Sequence, residues 1–430
     1  MRPILILLII EALLSQLLRP LFSTPESYVT LMLVGNSILM LWYLLKNSET
    51  TPLFLVFVTA FIVRLGLMFV DLELFRLPPH SGDDTEAFHL EGLQIYLDPA
   101  MFNEVVRGSY SKFLGIFYLA FGPERILAQY FNVILGVVAV VILAKTLRLL
   151  GLPMRVVFLS TLLFAFFAQG LLLSPILLRD QLVALGIVYT LYYMVRWTMD
   201  KSGTSLALAY LAYFVSTIFH SGLAIGIVVL LVYFSFYNHA TGRMDFEASK
   251  VQRLVMQVLI VGFIVYSFQD VLFAKFTHVS ENGQLFSGMS YDRGGSAYLN
   301  GLTVTGPLDM ILYSPLRMIY FLFSPFPWQW SSVTNIAIFF FDAAVYLLLF
   351  ALTIRHFRYL KHHPYAAVLL FMLLLFIVNA LIFGLGTGNV GTAIRHRYKL
   401  FPMLLIVYTS IHYIRYQALH HFEEVEQRAE

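Results

Sequence analysis

The 430-residue chain contains no cysteine and few charged residues. Without cysteine it has no disulfide, no thiolate metal ligand and no cysteine nucleophile. Charged residues make up 12% of the chain, where a soluble domain has about 25%. This composition excludes a water-soluble enzyme, a coiled coil and an intrinsically disordered chain. The net charge of only +3 gives no indication of nucleic-acid binding.

Hydrophobic residues make up 59% of the chain and are grouped in long blocks. A helix of about 20 apolar residues crosses the ~30 Å hydrocarbon layer of a membrane. The pattern predicts an all-α polytopic membrane protein whose N-terminal helix is retained rather than cleaved as a signal peptide. Twelve spans are expected at residues 3–22, 28–46, 52–70, 125–147, 153–174, 177–197, 204–219, 222–238, 253–273, 333–353, 365–386 and 399–416.

Segment 307–327 is apolar but a poor candidate for a thirteenth span. Pro315 and Arg317 interrupt it, and two further prolines close it. Broken backbone is tolerated at membrane depth only where protein or water covers it. We therefore expect a re-entrant or interfacial segment.

The loops differ in charge between the two sides of the predicted membrane domain. Lysine and arginine gather on one side, which assigns that side and both termini to the cytoplasm. Residues 1–430 then form one transmembrane domain with a cytoplasmic tail at 417–430. The loops 71–124 and 274–332 face outside and carry most of the polar residues without a topological role. Short loops and the absence of an Asn-x-Ser/Thr sequon favour a bacterial inner membrane.

An acidic segment follows the third span. Asp83 and Asp84 lie between His80 and Glu86. One carboxylate can deprotonate an acceptor hydroxyl, and the other can hold a divalent cation, Mg or Mn, against a phosphate. His80 and Glu86 would support the pair. The alternative is a solvated acidic loop.

The sequence after the acidic pair has a pattern of its own. A stretch from Tyr110 ends in Phe121-Gly122, and a helix with Arg125 and Asn132 follows. Residues 50–200 thereby resemble the GT-C superfamily of polyprenyl-phosphate-sugar glycosyltransferases. The resemblance implies an extracytoplasmic active site, a lipid-linked sugar donor, and Asp83 or Asp84 as the catalytic base. In that family the acidic pair usually follows the first helix, whereas here it follows the third.

Arg179 and Asp180 lie at the outer end of two predicted spans. Ionisable residues at such places are costly and indicate a functional site. Arg179 would bind a pyrophosphate and Asp180 would orient it. The alternative is that Asp180 interacts favourably with the dipole of a helix N-terminus.

A glycine-rich turn begins at Gly384 and leads into a predicted outer helix with four basic residues, which are Arg395, His396, Arg397 and Lys399. Backbone amides at a helix start, together with guanidinium groups, suit a phosphate or diphosphate. The alternative is a basic collar that binds lipid headgroups. The late Arg-x-Arg also resembles Wzy-type polysaccharide polymerases and O-antigen ligases.

The remaining candidates lie on outer loops. Arg317 would bind the donor phosphate, with Arg293 in support. The aromatic run around Trp328 and Trp330 suits either sugar rings or a membrane interface. His220, at a tight outer turn, is either an acceptor-site residue or a helix cap.

Together these features favour a membrane glycosyltransferase that transfers sugar or oligosaccharide from a polyprenyl-(di)phosphate donor to a glycan or lipid-linked acceptor. A single displacement predicts inversion at the anomeric carbon, and no cofactor beyond a divalent cation is indicated. The alternatives are a Wzy-type repeat-unit polymerase or ligase, a transporter or flippase, and a non-catalytic scaffold. Membrane lipids are the other expected partners, and nucleic acid is not one.

Overall fold

The protein is seen in a computed structural model that describes residues 2–77, 84–267, 269, 296–299, 302 and 307–429. Over these residues the chain is almost entirely helical, with one two-stranded hairpin, β1 (Tyr237–Asn238) and β2 (Arg243–Met244). The α-helices of the described part are α1 (Arg2–Leu18), α2 (Pro25–Asn47), α3 (Thr51–Phe69), α4 (Asp84–Leu97), α5 (Ser109–Phe121), α6 (Arg125–Leu149), α7 (Met154–Ala165), α8 (Ala168–Leu173), α9 (Asp180–Asp200), α10 (Gly203–Phe219), α11 (Gly226–Phe236), α12 (Ala248–Ser267), α13 (Pro307–Phe323), α14 (Val333–Ile338), α15 (Ala344–His356), α16 (Ala366–Leu385), α17 (Val390–Tyr398) and α18 (Phe401–Ala429).

A helix lies at each of the twelve positions where a span was predicted. Within the described residues, seven helices are long and apolar enough to cross a membrane. Three other apolar helices, α7, α10 and the segment Ser221–Phe236, have 10–17 residues. They fall short of the roughly 20 residues that a straight crossing needs. The all-α architecture is thus confirmed, and the count of twelve spans stays a prediction.

The predicted outer loop 71–124 is built from two packed helices, α4 and α5. Two glycines allow their close approach. A Cβ on Gly92 would lie 2.9 Å from Leu114, and one on Gly115 would lie 2.5 Å from Ile95. At the end of α5, the carbonyl of Phe121 accepts a hydrogen bond from Tyr28 Oη at 2.9 Å.

Segment 307–327 differs from its prediction, since Pro315 does not interrupt the helix. Helix α13 runs without a break from Pro307 to Phe323. Proline cannot donate to the carbonyl four residues earlier, which is that of Ile311. The hydroxyl of Ser314 donates to this carbonyl instead, at 3.0 Å. The freed acceptor is satisfied, and the helix continues to Arg317.

The C-terminal segment is helical. The predicted tail at 417–430 is continuous with α18, which ends only at Ala429.

The contacts divide the chain into two compact units. Unit 1 comprises Met1–Val141 and Gly170–Leu182, and unit 2 comprises Ile142–Gln169 and Val183–Glu430. Inside unit 2, α18 packs against α7, α15 and α16. Phe164 and Phe167 of that unit stack on Phe401, with ring centroids 6.2 and 3.9 Å apart.

Helices α13 and α16 of unit 2 cross closely at Gly384. A Cβ placed there would lie 2.8–2.9 Å from the backbone of Arg317 and Met318. We expect Gly384→Ala to cost about 1–3 kcal/mol, because two rigid backbones must separate. Gly262→Ala in α12 is the matched control, since its Cβ meets nothing within 4 Å. Thermal unfolding in detergent should show a lower midpoint for Gly384→Ala only. Equal midpoints for the two variants would contradict the close crossing.

Candidate functional site

The acidic segment opens α4 in unit 1. Asp84 is the first residue of this helix and accepts a hydrogen bond from Arg107 at 2.8 Å. Its carboxylate is about one-third exposed, so it is ion-paired yet accessible. The other two predicted residues of this segment, His80 and Asp83, lie outside the described residues.

Glu86 lies at the centre of an ion-pair network two residues further along. Its carboxylate accepts from Arg125 at 2.7 and 2.9 Å and lies 3.5 Å from Arg76. Partial burial opposes the ionisation of Glu86. The hydrogen bond and charge of Arg125, with the charges of Arg76 and His89, outweigh that effect and lower the pKa of Glu86. Glu86 is therefore a carboxylate at neutral pH and keeps two arginines beside α4.

Asp71 is a buried carboxylate that sequence reasoning missed. It lies in a π-helical turn, Val70–Leu74, directly after α3. It accepts from the amide of Leu77 at 2.8 Å and from Gln129 Nε2 at 2.9 Å. A single Asp at the end of an apolar span was the available signal. Its contacts hold the chain that leads towards the acidic segment.

The backbone before Arg179 is held by buried side chains of unit 1. Arg64 Nε donates to Ser174 Oγ at 3.0 Å, and Gln129 donates to the carbonyl of Pro175 at 2.6 Å. Asn132 donates to the carbonyls of Ile176 and Leu178 at 2.8 and 3.0 Å. Irregular backbone in an apolar surrounding needs such partners.

The two candidates at the end of this backbone segment, Arg179 and Asp180, have different surroundings. Asp180 is the first residue of α9, as the helix-dipole alternative predicted. The Arg179 guanidinium lies 6.0 Å from the ring centre of Phe88.

The glycine-rich turn of unit 2 leads into α17, as the sequence indicated. Asn389 caps this helix, accepting from the amide of Thr392 at 2.8 Å. The amide of Val390 donates to the carbonyl of Ser296 at 3.1 Å, and that of Tyr298 donates to Gly388 at 2.9 Å. Protein groups thus use two amides at the start of α17. The predicted role of these amides in phosphate binding gains no support from the contacts.

Two histidines distant in sequence meet beside α17. The rings of His220 and His396 pack edge to face with centroids 4.5 Å apart, and Phe383 contacts both. Lys399, fully buried, has its Nζ 3.1 Å from Nδ1 of His396.

Three buried basic residues lie on or directly after the elements that carry or contact His396. Arg395 lies on α17, Lys399 follows the last residue of that helix, and both are buried. Arg317 is buried on α13, which contacts α17, and donates to the carbonyls of Leu385 and Leu302 at 3.3 and 3.1 Å. We call Arg317, Arg395 and Lys399 the cationic cluster, which Lys399 joins to His396 and so to His220.

Arg397 has a different environment from the rest of the predicted phosphate ligands. It is fully buried and forms an ion pair with Asp342, which is also fully buried. It donates to the carbonyls of Phe321, Leu322 and Ser324 at 2.7–3.2 Å, where α13 ends. These contacts make Arg397 a positioning residue. Nothing in the sequence around Asp342 signalled this pairing.

Two buried hydroxyls belong to the segments that meet at α17. Tyr298 Oη and Thr387 Oγ1 have no hydrogen-bond partner among the described residues, although both side chains are at least 95% buried. An unsatisfied buried hydroxyl is costly and needs an explanation. Burial raises the pKa of Tyr298 well above its ordinary value, and the charges of Arg397 and Arg317 only partly oppose this. Tyr298 therefore keeps a proton to donate.

The described residues give no support to two parts of the predicted site, the divalent cation and Arg293. Across the described ranges, no group of three or more His, Asp or Glu could hold a metal ion. Arg293, predicted to support the donor site, lies outside these ranges.

Compared with protein-family models, curated proteins and solved structures, the chain gives no match to any of them. The chemistry of the site therefore rests on the contacts described above.

The Asp342–Arg397 pair supports a stability prediction. Removing one partner leaves a buried charge uncompensated, so Asp342→Asn should cost about 3–5 kcal/mol. Arg196→Gln, at an exposed pair with Asp200, should cost less than about 1 kcal/mol. Thermal unfolding in detergent measures both. A midpoint for Asp342→Asn as high as that of Arg196→Gln would contradict a structural role for the pair.

His89 of unit 1 supports a pH prediction. Burial, aided by the charge of Arg125 and opposed by Glu86, lowers the pKa of His89 below 6.5, and its ring nitrogen bonds Tyr118 at 2.8 Å. Below pH 6.5 the unfolded chain then binds more protons than the folded one. The free energy of unfolding therefore decreases as the pH decreases. His89→Gln cannot titrate and should lose less stability than wild type between pH 7 and pH 5. An equal loss of stability in the two proteins between pH 7 and pH 5 would contradict this prediction.

Proposed function

We propose that the chain is a membrane glycosyltransferase that uses a polyprenyl-(di)phosphate-linked donor in cell-surface polysaccharide assembly. The observation that carries the proposal is that two buried hydroxyls without described hydrogen-bond partners, those of Tyr298 and Thr387, belong to segments that meet at the start of α17, the helix of Arg395. Arginine and lysine form strong charge-assisted hydrogen bonds with phosphate, and neutral hydroxyls can add further donors. A donor phosphate would use this set of groups.

The proposed reaction is a single displacement. The acceptor hydroxyl attacks the anomeric carbon, the bond between that carbon and the phosphate oxygen breaks, and the configuration inverts. Arg317, Arg395 and Lys399 stabilise the negative charge that develops on the leaving phosphate. A carboxylate takes the hydroxyl proton, and the sequence alone makes Asp83 and Asp84 candidates for such a base. Arg397 positions α13 and α17 rather than binding phosphate.

We further propose that the protein lies in a bacterial inner membrane with both termini in the cytoplasm. Seven apolar helices among the described residues are compatible with a membrane protein. Arg64, an arginine within a predicted span, would suit a transporter. Its contacts with Ser174 and with the carbonyl of Ala60 support a structural role instead.

Tyr298→Phe tests the proposal because it removes one hydroxyl and nothing else. If that hydroxyl binds the donor, product formation should fall about 10-fold or more. Stability should stay equal or rise, since an unsatisfied group is lost. Tyr213→Phe is the matched control, because its hydroxyl donates to the carbonyl of Leu223 at 2.8 Å. The control variant Tyr213→Phe should lower the midpoint of thermal unfolding.

The readout is the profile of lipid-linked glycans in cells that lack the protein, complemented with each variant. An accumulated intermediate short by one sugar supports a single-sugar transferase. An accumulated complete repeat unit supports the polymerase alternative. An unchanged profile in the deletion strain would overturn the proposed function. Normal product from Tyr298→Phe and Arg395→Gln together would overturn the assignment of the phosphate site.

A further inference from the structure

A row of four aromatic rings runs from the buried Tyr298 to the protein surface. We call Tyr298, Tyr320, Phe326 and Trp328 the aromatic row. Their successive ring centroids are 5.5, 5.0 and 4.7 Å apart. Tyr298 at the inner end is buried, Tyr320 and Phe326 are partly exposed, and Trp328 at the outer end is 71% exposed. The row lies entirely in unit 2.

The outer end of the row is a flat platform held in place by hydrogen bonds. The rings of Phe326 and Trp328 are parallel to within 4°. Gln329 Oε1 accepts from the amide of Phe326 at 2.7 Å, and Asn335 donates to the carbonyl of Gln329 at 3.1 Å. Arg397 holds the start of this loop through the carbonyl of Ser324 at 2.7 Å. The platform is therefore pre-organised, which reduces the entropy lost on binding.

The surroundings of the platform favour a sugar over a lipid chain. Ser331 and Ser332, next to the aromatic run, are exposed and offer hydroxyl groups. Pyranose rings combine an apolar face, which stacks on an aromatic ring, with hydroxyl groups that need polar partners. The row also ends at Tyr298, whose pKa responds to the charges of Arg317 and Arg397. A belt that only anchors the protein in lipid has no need to continue to buried arginines.

We infer that the exposed outer end of the aromatic row, at Trp328, is a binding subsite for a sugar ring of a glycan chain whose other end reaches the phosphate site. This inference rests on the proposed function and specifies its substrate as an oligosaccharide rather than a single sugar. Trp328 stacks on a sugar distant from the reacting bond, and Tyr298 lies at the phosphate end. The row thus selects long substrates over short ones.

Fluorine NMR of the full chain labelled with 5-fluorotryptophan in lipid nanodiscs tests the inference. The Trp328 signal is identified by its loss in Trp328→Phe. The probes are fragments of one, two, four and six sugars, released by mild acid from the polysaccharide of the source cells. We expect the Trp328 signal to shift, with affinity rising with fragment length. No shift at any length would overturn the inference.

A spin-labelled phosphatidylcholine in the same nanodiscs distinguishes a lipid belt. Trp42, 52% exposed on the candidate span α2, is the positive control and should broaden. Trp328 should keep a narrow signal. Equal broadening of Trp328 and Trp42 would identify the platform as a membrane anchor and overturn the inference.

Variants of Trp328 separate this inference from the proposed function. Trp328→Leu keeps an apolar side chain without a flat ring and should raise the KM for a long acceptor about 3- to 10-fold. Trp328→Phe should remain near wild type. An unchanged KM in Trp328→Leu, together with inactive Arg395→Gln, would reject the sugar subsite and leave the phosphate site standing. The fragment titration does not depend on activity, so it tests the subsite even if the proposed reaction fails.

Discussion

Burying an arginine completely costs several kcal/mol unless a carboxylate and further acceptors surround it. Unit 2 meets this condition at Arg397, which is paired with Asp342 and donates to three carbonyls where α13 ends. These partners belong to two parts of the chain, the end of α13 and the segment before α15. The need to satisfy one charge therefore sets the positions of α13, α17 and the segment before α15. This contact thereby also sets the positions of Arg317 on α13 and Arg395 on α17.

The same constraint shapes unit 1 with different residues. Between α8 and α9 the backbone is not helical, and its carbonyls need donors inside an apolar surrounding. Gln129 and Asn132, both on α6, provide them. Arg64 adds a contact through Ser174. In both units a few buried polar side chains hold irregular backbone at the places where the candidate functional residues lie, which is how a mostly apolar chain positions charged groups.

Much of the architecture could be predicted from the sequence, because long apolar blocks report directly on helices. The helix after the glycine-rich turn was expected from another local signal, the turn itself. Pro315 shows the limit of such signals, since the neighbouring serine repairs the missing hydrogen bond and the helix continues. Arg317, Arg395 and Lys399 were recognisable because charge on outer segments of an apolar chain is rare. Sequence reasoning missed four further residues, Asp71, Asp342, Tyr298 and Thr387. The first two stand out only through their buried partners, and the last two only because their hydroxyls have no described hydrogen-bond partner.

The sequence by itself determined the helical class, the positions of most helices and the short set of charged residues worth considering. These properties depend on composition and on neighbours close in the chain. Only the tertiary structure decided that His220 meets His396, that Arg397 is committed to Asp342, and that four aromatic rings form a continuous row. Those contacts join residues 2 to 176 positions apart. Hydrophobic periodicity does not specify which buried polar groups satisfy each other, because that depends on how the helices pack.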